Sequence, residues 1–139
     1  MRSKRSKILL LFIISLTLGS CDKDRVDFRD AYTGDWEFYV IRRVWNISWE
    51  DTYGYVSIWD TTTHNGSIEY GSGDSSLMVN FIPNWEVETG IEMDGKKYYI
   101  YGDVFDGFSI FYGTDSLYLW VLTKALGDGE EYKVRGKKL

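Results

Sequence analysis

The sequence predicts an all-β domain: an antiparallel up-and-down meander of about eight or nine short strands closing into a small barrel, with an open β-sandwich as the alternative. Three observations predict it. Apolar residues after Tyr32 recur with period two, turn residues interrupt them at short intervals, and the 139-residue chain has a single proline and no internal repeat. One domain suits this length, and such a chain buries enough surface for one core without staples.

The first strand is expected over 35–44, where Trp36, Phe38 and Val40 share a face. A second, over 53–62, carries Tyr53, Tyr55 and Trp59 on one side. Asn65-Gly66 reads as a two-residue hairpin loop, because a type I′ turn needs positive φ at both positions. It places a third strand at 66–71, and Ser72-Gly73-Asp74 leads to a fourth at 75–82 with Leu77, Val79 and Phe81 aligned. Pro83-Asn84 turns the chain into 85–93, the clearest alternation of all: Trp85, Val87, Thr89, Ile91 and Met93 oppose Glu86, Glu88, Gly90 and Glu92. A helix would scatter those apolar residues around its circumference; a half-buried strand collects them. Asp94-Gly95 reads as a second two-residue hairpin loop before 96–102, where Tyr99 and Tyr101 share a face, and Asp106-Gly107 adds a turn signal near the start of 104–112. Gly113-Thr114-Asp115 opens 115–124, in which both Leu117, Leu119, Val121 and the intervening Tyr118, Trp120, Leu122 are apolar, as expected of a strand covered on both sides. Gly127-Asp128-Gly129 then leads to 130–137.

The start of the chain has a different character. Arg2, Lys4, Arg5 and Lys7 precede an apolar run from Ile8 to Leu18. This is the layout of a secretory signal, and the run is short of the ~20 apolar residues a membrane helix needs. Leu18-Gly19-Ser20-Cys21 resembles the lipobox of bacterial lipoproteins. The resemblance implies that residues 1–20 are removed and that Cys21, the only cysteine, becomes a lipid-bearing N-terminus. Residues 21–32 then form a charged tether and 33–139 the domain. Without the four basic residues of the leader, twelve basic side chains face twenty-one acidic ones, a net charge of −9. Such a balance argues against nucleic acid, whose phosphates need a basic stripe, and leaves the lipid as the means of attachment to a membrane.

Gly34-x-Trp36 at the first strand resembles the Gly-x-Trp signature of lipocalins and other calycins. With the lipobox, the acidic tether and the closing Val134-Arg135-Gly136-Lys137, the layout is similar to small lipocalin-like lipoproteins of the Bacteroidetes type. The resemblance implies a barrel closed at one end by Trp36, with Arg135 of the last strand stacked over it. It also implies a place in the cell envelope. Asp22-Lys23-Asp24 resembles a surface-export signal of those lipoproteins and points to the outer membrane, on its periplasmic or surface face, whereas Asp22 alone would retain an enterobacterial lipoprotein at the inner membrane.

Catalytic patterns are sparse. His64, the only histidine, lies beside Asn65-Gly66 and is expected in a solvated turn. Glu86, Glu88 and Glu92 share one strand side at a spacing a glycosidase could use, but they alternate with the core and are expected in water, where no carboxyl pKa is raised. There is no phosphate loop, dinucleotide fingerprint or calcium loop, so no cofactor or metal is expected and an enzyme is not. What stands out is aromatic content, with six Trp and eleven Tyr. Most must build the core. Trp45, Trp49, Tyr53, Tyr55, Trp59, Tyr99 and Tyr101 are the candidates for a binding surface, since rings on a sheet stack against sugars and rings around a barrel mouth hold apolar molecules. The leading expectation is thus a non-enzymatic binding domain for a glycan or a small apolar ligand. The alternative is a protein-interaction module, either a hydrolase inhibitor or a partner in an envelope complex, steered by its acidity towards basic surfaces.

Overall fold

The computed structural model describes residues 26–47, 55–123 and 129–139. A 3-10 turn, Phe28–Ala31, precedes eight strands: β1 Gly34–Ile47, β2 Tyr55–Tyr70, β3 Ser76–Ile82, β4 Trp85–Gly90, β5 Lys97–Tyr101, β6 Phe105–Tyr112, β7 Ser116–Thr123 and β8 Gly129–Lys138. All pair antiparallel in one sheet, ordered β4-β3-β2-β1-β8-β7-β6-β5. First and last strands are neighbours, so the sheet curls into a nearly closed barrel with a seam between β4 and β5. Across that seam the Tyr98 ring lies over Gly90, where a Cβ would come within 2.3 Å of it.

Period-two patterning explains the curl. In β3 and β7 every second residue is buried, and these inward residues meet those of the other strands in one core. Trp36, Phe38, Ile68, Leu77, Val79, Phe81, Leu119 and Val134 are entirely buried and fill the barrel with side chains. One end is closed by Trp36, stacked 6.2 Å from Phe38, and by Phe111, whose ring stands edge-on 5.1 Å from Tyr32. The close of the expected tether is docked on this end. Asp27 caps the 3-10 turn by accepting from the Arg29 N–H, and the Trp36 indole donates to the Tyr32 carbonyl at 3.0 Å. At the other end Trp85 lies 4.3 Å from Tyr132 and 5.4 Å from Phe81.

The structure corrects several expectations. Asn65-Gly66 is not a turn: β2 runs straight through it, pairing Asn65 with Glu37 and Gly66 with Trp36. Glycine is required there because a Cβ would lie 2.0 Å from the Asn80 carbonyl oxygen and 3.0 Å from the Phe38 ring. His64 consequently sits within the strand, half-buried and 2.8 Å from the Thr62 hydroxyl. The strand expected over 85–93 ends at Gly90, and Met93 is 64% exposed. Asp94-Gly95 still turns the chain, with Gly95 at φ +72°, but it joins the two edges of the seam instead of forming a hairpin, and Asp106-Gly107 is no turn but lies inside β6, paired with Tyr101 and Ile100 on one side and Leu122 and Val121 on the other.

The last correction concerns the barrel-closing pair. Arg135 lies opposite Tyr39 and Tyr118 and is exposed, whereas Trp36 points inward. They occupy opposite faces of the sheet, so no stack forms. The inward position next to Arg135 is Gly136, and its missing side chain admits the Phe38 ring, 2.8 Å from a would-be Cβ, with Trp36 at 3.2 Å.

Candidate functional site

A filled interior moves the candidate site to the outside. Residues alternating with the core project from β5, β6, β7, β8, β1 and β2, and among them runs an unbroken row of rings and charges. Tyr101 and Tyr99 of β5 stack at 6.3 Å, and Tyr99 lies 6.4 Å from Phe108 of β6. Phe108 in turn meets Tyr118 at 5.9 Å and Trp120 of β7 at 5.6 Å. The Trp120 indole donates to Glu131 Oε1 of β8 at 2.8 Å.

Glu131 is the hinge of the row. Lys133 Nζ lies 3.5 Å from its Oε1, and Arg43 Nη1 of β1 lies 3.7 Å from its Oε2. The Arg43 guanidinium stands 5.6 Å from the Trp45 ring and 5.4 Å from Trp59 of β2, and Lys133 Nζ is 5.7 Å from the same Trp59 ring. Arg43 also donates to the Ser57 hydroxyl. Trp59 is therefore held by two cations and still leaves 55% of its surface in water. An exposed cation-π contact is worth ~0.5–1 kcal/mol, enough to restrict a ring that the core does not hold. Beside it Arg43, Trp45, Trp120, Leu122 and Glu131 line a groove of about 410 Å³. Gly129 makes room for this arrangement, since a Cβ there would sit 2.1 Å from the Trp45 ring.

Of the seven aromatic candidates, the structure thus brings Trp45 and Trp59 to one end of the row and Tyr99 and Tyr101 to the other. Trp49 and Tyr53 lie outside the described residues, as does the side chain of Tyr55. Phe108, Tyr118, Trp120, Arg43, Lys133 and Glu131 were not anticipated. The signal was there in part: Tyr118 and Trp120 alternate with the core residues Leu117, Leu119 and Val121, which puts them outside.

Other polar groups have structural partners. Glu88 accepts from the Ser72 N–H at 2.5 Å, the Ser72 hydroxyl at 2.7 Å and the Ser76 hydroxyl at 2.6 Å; these bonds hold its carboxyl below the usual range, opposite to the shift a general acid needs. Tyr99 and Tyr101 border a second groove, about 460 Å³, along the seam between β4 and β5. At the Trp85 end, Arg42 Nη2 pairs with Glu130 Oε1 at 2.6 Å and the Tyr132 hydroxyl donates to Glu130 Oε2. Burial pushes the Glu130 carboxyl up, but these two bonds outweigh it and bring it below its ordinary value. Burial, with the Glu130 charge, pushes Tyr132 up to about 12. Among the described residues no three His, Cys, Asp or Glu side chains are placed to hold a metal ion, and no helix is long and apolar enough to cross a membrane. Cys21 lies outside the described residues. No protein family, curated protein or solved structure matches this chain.

Proposed function

We propose that this chain is a lipid-anchored envelope protein, attached through Cys21, whose barrel binds a carbohydrate on its outer surface. The observation that carries the reading is the Trp59 ring, steadied by Arg43 and Lys133 and open to water beside the groove of Trp45, Trp120 and Glu131. The C–H faces of a pyranose are apolar and flat, and they stack on such a ring. Its hydroxyls need donors and acceptors at the ring's margin, which Arg43, Lys133 and Glu131 supply. Rings fixed before binding lose little freedom when a ligand arrives. A small apolar molecule inside the barrel is disfavoured, because the core residues already fill that space.

The test uses residues 22–139, which contain every core residue. A glycan array identifies a ligand, and calorimetric titration measures its affinity for the parent protein and for Trp59→Ala. The expected result is binding that Trp59→Ala weakens at least about tenfold, as loss of a stacked ring would. A complete lack of glycan binding, or binding indifferent to Trp59, contradicts the proposal.

A further inference from the structure

Residues 67–70 of β2 pair with β3, whereas among the described residues 55–66 pair with β1 alone. The cause lies in β3. Its register with β4 shifts between Asn80 and Ile82, a bulge that bends the strand, and Phe81 and Trp85 follow the bend across the barrel end to Tyr132. The hairpin leaves β2, and among the described residues no strand pairs with the side of β2 opposite β1 from Trp59 to Asn65.

Such an edge is normally blunted by lysine, proline or shortness. This one is not. Tyr55–Gly66 contains no Lys, Arg or Pro and a single charge, Asp60, while Ile58, Trp59, Thr61, Thr62 and Thr63 all favour strands. Ile58 and Trp59 are exposed, at 64% and 55%. The sheet's other two edges are protected differently, since they face each other across the seam.

We propose that this edge pairs antiparallel with the same edge of a second copy of the chain, centred on Thr62. Only registers that keep inward residues opposite inward residues preserve the faces of the sheet. Among these, centring on Asp60 opposes two carboxylates and centring on Thr61 or Thr63 leaves Asp60 opposite an uncharged residue. Centring on Thr62 sets Asp60 of each copy opposite His64 of the other, so that carboxylate and imidazole meet twice, and sets Thr61 opposite Thr63, a favourable cross-strand pair. His64 now bonds to Thr62 within its own strand, and Asp60 accepts only from the adjacent Thr61 N–H among its described hydrogen bonds. Both exposed Trp59 rings then lie on one face of the joined sheet, ~20 Å apart at strand spacing.

Sedimentation of residues 22–139 over a range of concentrations tests the pairing. A reversible dimer is expected, with its dissociation constant raised at least about tenfold in the Thr61→Lys, Thr63→Lys double variant, where lysines oppose lysines at exposed positions. The register has its own test, because residues 22–139 carry no cysteine. Thr62→Cys should oxidise to a linked dimer, since directly opposed residues lie ~4.5–5.5 Å apart. Ile58→Cys should not, its counterpart being ~27 Å away. A monomer at every concentration, a dimer indifferent to the two lysines, or linkage at residue 58 as ready as at 62 would overturn the proposal.

Discussion

Replacing Gly66 by alanine tests whether β2 runs through this position as a strand. The added Cβ would sit 2.0 Å from the Asn80 carbonyl oxygen and 3.0 Å from the Phe38 ring. Ordinary contact needs more than 1 Å of extra room, and neither neighbour is free to give it: the carbonyl belongs to β3, paired at Ser67↔Asn80, and Phe38 is fully buried. Overpacking of this kind costs ~1–3 kcal/mol, and here the upper half of that range applies because backbone has to move. For a domain of this size that lowers Tm by roughly 8–12 °C. Asn65→Thr is the control. In a type I′ turn Asn65 would need positive φ, and threonine there would destabilise; in an exposed strand threonine should leave Tm unchanged or raise it by a few degrees. Thermal unfolding followed by circular dichroism reads both. A Gly66→Ala protein as stable as its parent, or an Asn65→Thr protein that loses stability, would show that β2 does not run through this position as a strand.

Four further outcomes are expected. Thr89 and Ser109 share a 2.6 Å hydrogen bond inside the barrel; Thr89→Val should cost ~1–3 kcal/mol in denaturant unfolding, and adding Ser109→Ala should recover most of it, since then neither hydroxyl is left buried and unpaired. Tyr132, raised to about 12, adds stability that is complete below its unfolded value of about 10 and fades as pH rises towards 12. Tyr132→Phe should therefore flatten the loss of stability on alkaline titration, and Glu130, lowered by Arg42, should give the opposite dependence, a loss on acidification that Glu130→Gln removes. Finally, Cys21→Ser in the full chain should abolish incorporation of labelled palmitate and release the protein from the membrane fraction.

The fold was legible wherever one face was dry and the other wet. Leu77, Val79 and Phe81 announce β3 because each inward residue is large and apolar, and Leu117, Leu119 and Val121 do the same for β7. Asn65-Gly66 misled because glycine answers two different needs, positive φ and close approach, and only the neighbouring strand shows that the second applies. Arg135 misled for a related reason: a stack over Trp36 requires the same side of the sheet, and one residue of register decides the side. The outward row was half legible. Tyr99, Tyr101 and Trp59 are marked by alternation and Trp45 by a segment where alternation fails, but the charges that connect them, Arg43, Lys133 and Glu131, come together only when β1 and β8 pair across most of the chain's length.

The six tryptophans distinguish a ligand on the outer row from one inside the barrel. Side-chain indole N–H resonances should be followed as a glycan is titrated into residues 22–139. The signals of Trp59, Trp45 and Trp120 should shift, while those of Trp36, bonded to the Tyr32 carbonyl, and Trp85, packed on Tyr132, should stay in place. Shifts at Trp36 and Trp85 with none at Trp59 would put the ligand in the barrel and rule out a site on the outer row.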